Sequence, residues 1–300
     1  MTKPIHKKQD AGFSLLELLI SVLILLPIMG AAVNLFSVGA KQHATEQNSI
    51  EANQEARAGL EMMTMEIAQA GSHGDHETTT SAGIAASSSV QPVAVVSSAG
   101  FNIGDYVDVD TGANHEVVRI TAVTQGNLTG VFRTAHASGI PIRLFALPYL
   151  TGMICPAGLG ASSSADVTTL RFFGDISGDG NLSYIEYVYD SNNAQITRSM
   201  TPITQATKNA ALPLVRNLKP NTVRFTVFTD SQNIVTSASV RMTIVNTIKT
   251  GSRYEESALT SKIIVPSAMA ASALFRENQM YGGISKLPPT PTQVSTWVQQ

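Results

Sequence analysis

Phe13 to Phe36 is a run of 24 residues with a single charge, Glu17, and this run limits what the chain can become more than any other feature. At about 1.5 Å per residue, a helix of that length extends roughly 36 Å, enough to cross a hydrocarbon core of about 30 Å. The residues before it carry Lys3, Lys7 and Lys8 against Asp10. By the positive-inside rule that end stays cytoplasmic and the apolar run crosses the membrane. A general secretory signal peptide would have a shorter apolar run ending at a small-x-small site. A plain anchor accommodates the length but gives no reason for Glu17, because a carboxylate inside a bilayer costs several kcal/mol unless it finds a partner.

The residues flanking the glutamate suggest where the partner comes from. Lys-Lys-Gln-Asp-Ala-Gly12 followed by Phe13-Ser-Leu-Leu-Glu17 resembles the leader and processing site of the type IV pilin family. The resemblance implies that a prepilin peptidase cuts between Gly12 and Phe13 and methylates Phe13. It also implies that Glu17 is the assembly residue, facing the N-terminal amine of a neighbouring subunit. Residues 1–12 are then a cytoplasmic leader and 13–36 a transmembrane helix.

The helical pattern continues past the apolar run. Between Lys41 and Ala70 there is no proline and one glycine, Gly59. Leu60, Met63, Ile67 and Ala70 recur at helical spacing and form one apolar stripe, with Glu61, Thr64 and Glu66 on the wetter side. Gly71 is a natural stop. An amphipathic helix is therefore expected over 37–71, interrupted upstream at Pro27, which removes a backbone donor and clashes with the carbonyl of Leu23. Glu55 to Gly71 also resembles the helix end of PilW-type minor pilins and of J-type pseudopilins of type II secretion.

Beyond the helix, residues 72–91 are small and polar and read as a linker. His73, Asp75, His76 and Glu77 could be drawn as metal ligands there, but a flexible loop rarely preorganises such a site, and a solvated loop is the expectation. Residues 92–150 hold short β-like runs separated by turns. Val107 and Val109 alternate with Asp108 and Asp110 in the period of a half-buried strand, which points to an inserted β subdomain. Strand signals resume over 151–275, where Val223, Phe225 and Val227 alternate with Arg224, Thr226 and Phe228. An antiparallel sheet packed on the end of the long helix would bury both apolar faces. The fold class expected is α+β and pilin-like. Residues 276–300 form a proline-rich tail, expected to be extended or mobile, which holds the single tryptophan, Trp297.

One chemical motif stands out. Asp175 to Glu186, DISGDGNLSYIE, matches the twelve-residue calcium loop pattern. Calcium takes six to eight oxygens on a tight turn. Asp175, Ser177 and Asp179 would offer side-chain oxygens and Asn181 its carbonyl, while Ser183 would act through water and Glu186 with both oxygens. The flanks look like strands, so the expectation is a structural calcium site in a hairpin, set against an Asp/Gly/Asn-rich turn without an ion.

Composition narrows the remaining classes. A net charge of −2 gives no electrostatic case for nucleic acid. The lone Cys155 excludes an internal disulfide framework. Elbow, zinc and phosphate-loop motifs are absent, and His136 and Cys155 stand isolated, so no enzyme is expected. The reading is a minor type IV pilin that primes assembly or sits at the tip. The alternatives are a type II secretion pseudopilin and a membrane-tethered calcium-binding protein that never polymerises. The implied partners are other pilin or pseudopilin subunits, the prepilin peptidase/methyltransferase, the inner-membrane assembly platform and membrane lipid. The expected location is the bacterial inner membrane with a periplasmic head, and then the fibre.

Overall fold

The computed structural model describes residues 14–145, 149, 151–250, 253–281 and 287–299. Gly12 and Phe13, and with them the expected cut and methylation, lie outside the described residues. The chain divides into two compact units, Met1–Glu51 with Asn246–Glu255, and Ala52–Val245 with Glu256–Gln300.

The first unit contains most of α1 (Leu15–Ala68). Its apolar part has a mean hydropathy of 2.4 over 18 residues and none of that window is buried. Among the described residues it is the one helix long and apolar enough to cross a membrane. Pro27 sits inside the helix without ending it, contrary to the expected interruption. A proline removes a single donor, and the long runs of good helix formers on either side sustain the remaining hydrogen bonds.

The second unit is an α+β body. Its inserted part comprises β1 (Glu77–Thr79), β2 (Gln91–Ala94), β3 (Tyr106–Val109), β4 (Glu116–Arg119), β5 (Ala122–Thr124), β6 (Asn127–Gly130) and β7 (Pro141–Phe145). These make a four-stranded sheet of order β1-β7-β3-β4 and a three-stranded sheet of order β2-β6-β5. Between them lies a core of its own, with Val107, Val109, Leu128, Phe132 and Ile142 fully hidden. The alternation at 107–110 therefore marks the buried and wetter sides of β3. The segment that reads as a linker supplies β1, which pairs with β7, and Ile84, which joins this core. Its small polar residues conceal that role because the bonds it makes are mostly main-chain ones, which any side chain permits.

The head is built from β8 (Ser164–Val167), β9 (Thr169–Gly174), β10 (Ser183–Asp190), β11 (Gln195–Pro202), β12 (Leu212–Val215), β13 (Arg224–Thr229), β14 (Val235–Thr250) and β15 (Arg253–Ile264), followed by α2 (Pro266–Tyr281) and α3 (Thr292–Val298); residues 246–250 of β14 and 253–255 of β15 belong to the first unit. Two antiparallel sheets result, of order β12-β11-β10-β9 and β15-β14-β13-β8. The β10–β11 hairpin turns at 190–195, where the Asp190 carboxylate accepts the N–H groups of Asn192 and Asn193. Asp and Asn favour such turns because their side chains bond nearby main-chain groups.

The end of α1 is buried against these sheets. Ala56, Met63, Ile67 and Ala70 are fully hidden in one core with Phe172, Ile185, Tyr187, Phe225 and Val240. Burying a side chain such as Met63 or Ile67 contributes about 1.5–3 kcal/mol. Gly59 lets the helix approach β12 closely, since a Cβ there would lie 2.4 Å from Val215 Cγ2. Gly71 ends the turn after the helix with φ +76°, the left-handed conformation expected of a stop. Glu66, however, is not on a wet face. Its carboxylate accepts Nε (3.0 Å) and Nη2 (2.5 Å) of Arg198 and the hydroxyl of Tyr187. Tyr187 and Arg198 are register partners across β10 and β11, so the helix is clamped to the sheet at one point. Burial, followed by the neighbouring Glu66 carboxylate, pushes the Tyr187 phenol far above its usual range and keeps it a donor.

The tail also differs from expectation. Residues 292–298 form α3, and Trp297 and Val294 are hidden against Tyr149, Phe173, Leu182 and Tyr184. The apolar face of two short helical turns is too brief a pattern to register against the surrounding prolines.

Glu66→Ala is expected to destabilise the second unit by about 3 kcal/mol, because it leaves Tyr187 and Arg198 unpaired in a half-buried site. Urea unfolding followed by tyrosine fluorescence measures this, and Glu66→Gln should recover part of the loss.

Candidate functional site

Within the first unit, residues 14–44 are all exposed, and they include Leu15, Leu16, Leu19, Leu23, Leu26 and Phe36. Glu17 lies in the first turn of α1, where its own N–H donates to the carbonyl of Ser14 and its carbonyl accepts the Ser21 hydroxyl. Among the described residues its carboxylate has no side-chain partner. A negative charge in a helix's first turn is favoured by the macrodipole. The stretch that follows is mainly aliphatic, and Leu15, Leu18, Leu19, Val22, Leu23 and Leu26 line one shallow groove along it.

The candidate calcium loop belongs to the second unit. Asp175 leaves β9, Gly178 and Gly180 take positive φ of 68° and 85°, and the chain re-enters the sheet at Ser183. Asp175 accepts the N–H groups of Asp179 (3.1 Å) and Gly180 (3.0 Å), and Asp179 accepts that of Asn181 (2.9 Å). Asp175, Ser177, Asp179 and Asn181 thus share one tight turn closed by carboxylate-to-backbone bonds. Each carboxylate oxygen keeps a second lone pair, so the turn can still present oxygens outward. Glu186 is committed elsewhere. It lies inside β10 opposite Arg171, whose Nε donates to it at 2.8 Å, and Lys208 Nζ donates at 3.3 Å. Ser183 is likewise a strand residue, paired with Gly174 and Pro202. The full six-position calcium set is therefore not assembled in this structure; only its first four members stand together. Among the described residues, no group of three or more histidine, cysteine or carboxylate side chains is placed to hold a metal ion.

The same loop is the point where the inserted β subdomain meets the head. His76 Nε2 lies 2.5 Å from the Gly180 carbonyl oxygen, and the ring fits against Gly100 and Gly180 where any Cβ would collide. Three residues earlier, His73 Nε2 lies 2.9 Å from Asp105 Oδ1 and 3.1 Å from the Tyr149 hydroxyl, with its ring stacked on Tyr149. The His73 and Asp105 side chains are almost wholly shielded from solvent. These histidines fasten the two parts of the body, and Asp75 and Glu77 are exposed beside them. Their spacing suggests metal ligands or a solvated loop. Their actual partners are distant in sequence and carry no local signal.

His136 is another residue isolated in the sequence, and the fold gives it two carboxylates. Nδ1 lies 3.0 Å from Asp110 and Nε2 lies 2.8 Å from Glu116, with the imidazole wholly hidden. Glu116 also accepts the N–H groups of Arg133 and Thr134. Burial acts to lower the His136 pKa, but hydrogen bonds to Glu116 and Asp110 outweigh it and hold the ring above its ordinary 6.5. The bond to His136, then that from Thr111 N–H, holds the Asp110 carboxyl below its usual range. Cys155 is half-buried against the head core, with its thiol 3.8 Å from Asn233 Oδ1, and burial raises the thiol pKa.

A histidine whose folded pKa is raised contributes its full stability below about pH 6.5, the unfolded value, and loses it as pH rises through the folded pKa. Unfolding of the inserted subdomain should therefore become easier above neutrality, and His136→Gln should flatten that slope in urea titrations at several pH values. Glu186→Gln should cost about 1–2 kcal/mol by releasing Arg171 and Lys208, equally in calcium and in chelator. Thermal melting checks this, and a loss seen only with calcium would return Glu186 to ion ligation.

No family model, curated protein or solved structure matches this chain.

Proposed function

We propose that the chain is a minor subunit of a type IV pilin-like fibre. In this reading it is stored in the inner membrane with its body outside, cut between Gly12 and Phe13 by a prepilin peptidase, methylated at Phe13 and inserted into a fibre. The observation that carries the reading is the first unit's helix: fully exposed aliphatic surface with one carboxylate, Glu17, in its opening turn. Such a surface is stable only in lipid or against other apolar helices. Once cleavage bares the amine of Phe13, a positive charge is created four residues before that carboxylate in the sequence. A subunit arriving with its own new amine can then neutralise the Glu17 of a neighbour inside a low-dielectric bundle, where an uncompensated charge is costly.

The α+β body is compatible with a pilin-like head, and its β subdomain would be the displayed part. The turn at Asp175–Asn181 keeps calcium as a proposal for loop stiffening, with Asp175 and Asp179 as its carboxylates and Glu186 outside it. The same processing and insertion chemistry would serve a type II secretion pseudopilin, and the fibre recovered from cells distinguishes the two.

The test is the N-terminal mass of the protein from cell membranes, with and without prepilin peptidase. A chain beginning at methylated Phe13 only when the peptidase is present is expected; an intact Met1 would defeat the reading. Glu17→Gln should leave membrane insertion and cleavage unchanged and reduce recovery in sheared fibres at least about tenfold, the loss of one partnered intramembrane charge.

A further inference from the structure

We infer that the second unit carries a binding cleft for a neutral sugar, at the seam where the inserted β subdomain meets the head. A cavity of about 520 Å³ opens between residues 98–102 and 123 on one side and 177, 179, 181–183, 200 and 202–204 on the other. Its volume falls in the range of small-ligand sites, which favour such seams. The cleft is independent of the reading of the N-terminal helix.

The chemistry of the walls selects the ligand. Phe101, Met200 and Ile203 supply an apolar floor, and Phe101 is nearly hidden within its own core. Around it stand Asp179, Asn181 and Ser183. Asn181 and Asp179 are exposed, and the Asn181 side chain has no hydrogen-bond partner among the described residues. Ser183 is 4% exposed, and its hydroxyl also has no partner among the described residues, although it lines the cavity. The Ser183 hydroxyl is therefore free to take a ligand hydroxyl in place of cavity water. Among the described residues no lysine or arginine lines the cleft, so it offers no cationic side chain to an anion. Phosphorylated and acidic ligands are thereby disfavoured. A pyranose ring has the complementary form: one face of C–H groups for the apolar floor, and a rim of hydroxyls for amide, carboxylate and serine. The volume suits one or two such rings.

The cleft is also held in shape before any ligand arrives. His76 joins the carbonyl of Gly180, between the lining residues Asp179 and Asn181, to the segment preceding the β subdomain, and packs on Gly100, on the other wall. The Asp179 carboxylate accepts the Asn181 main-chain N–H, which sets the direction of the Asp179 side chain. Preorganised walls reduce the ordering cost of binding.

The experiment is saturation-transfer NMR on the full chain in a zwitterionic detergent without a sugar headgroup. The probes are maltose, lactose and N,N′-diacetylchitobiose, with glucose 6-phosphate as the charged comparison. Transfer to at least one neutral disaccharide is expected, weakened about tenfold by Asn181→Ala and by Ser183→Ala, the effect of one lost hydrogen bond to the ligand. Asn181 is exposed, so its variant should keep the melting midpoint of the unmutated chain even if Ser183→Ala does not. No transfer to any of the three disaccharides would overturn the inference. So would transfer that Asn181→Ala leaves unchanged, or tighter binding of glucose 6-phosphate.

Discussion

Burial of one side of the last four turns of α1 is the constraint on which the body of this protein depends. Met63, Ile67 and Ala70 have no other place to go, and neither do Phe172, Ile185 and Phe225 on the sheets that meet them. Each surface removes the other from water, and the gain scales with the apolar area covered. Non-directional burial alone would permit sliding. The Glu66 carboxylate prevents it by binding Tyr187 and Arg198 from two adjacent strands. At the helix end, Gly71, Gly152 and Gly174 allow main chains to approach where side chains would collide: a Cβ on Gly152 would lie 2.1 Å from Gly71 Cα.

From that anchored end the chain builds a second core, and the connection between the cores is polar. His73 with Asp105 and Tyr149, and His76 with Gly180, replace the apolar packing that joins helix to sheet. The C-terminal segment reinforces the seam. Trp297 is hidden with Tyr149 and Tyr184, and Pro289 packs so closely on Gly104 that a Cβ there would lie 2.2 Å away. Polar pairs in shielded sites specify geometry strongly, because a half-made network costs more than none. The candidate sugar cleft lies at that seam.

Helix and strand elements are legible wherever one residue's neighbours in sequence are also its neighbours in environment. The alternation at Val223, Phe225 and Val227 and the stripe at Met63 and Ile67 both mark buried faces. Glu66 looks solvent-facing in the sequence because its partner Arg198 is 132 residues away. The calcium pattern illustrates the opposite difficulty. Its residue types match the template throughout, yet β10 begins at Ser183 and the ladder places Glu186 opposite Arg171. A template of types and spacings contains no information about which side of a strand the last residue will face.

By itself the sequence determined a long helix with an apolar, singly charged opening, a basic flank before it, and a body of antiparallel strands. Those properties depend on periods of about 3.6 and 2 residues and on local charge, all carried by adjacent positions. Only the tertiary structure decided that His136 lies between Asp110 and Glu116, that His73 and His76 fasten two cores, and that Trp297 is hidden. Each of these joins segments whose meeting is set by the register of strands and the packing of whole elements, which no local pattern encodes.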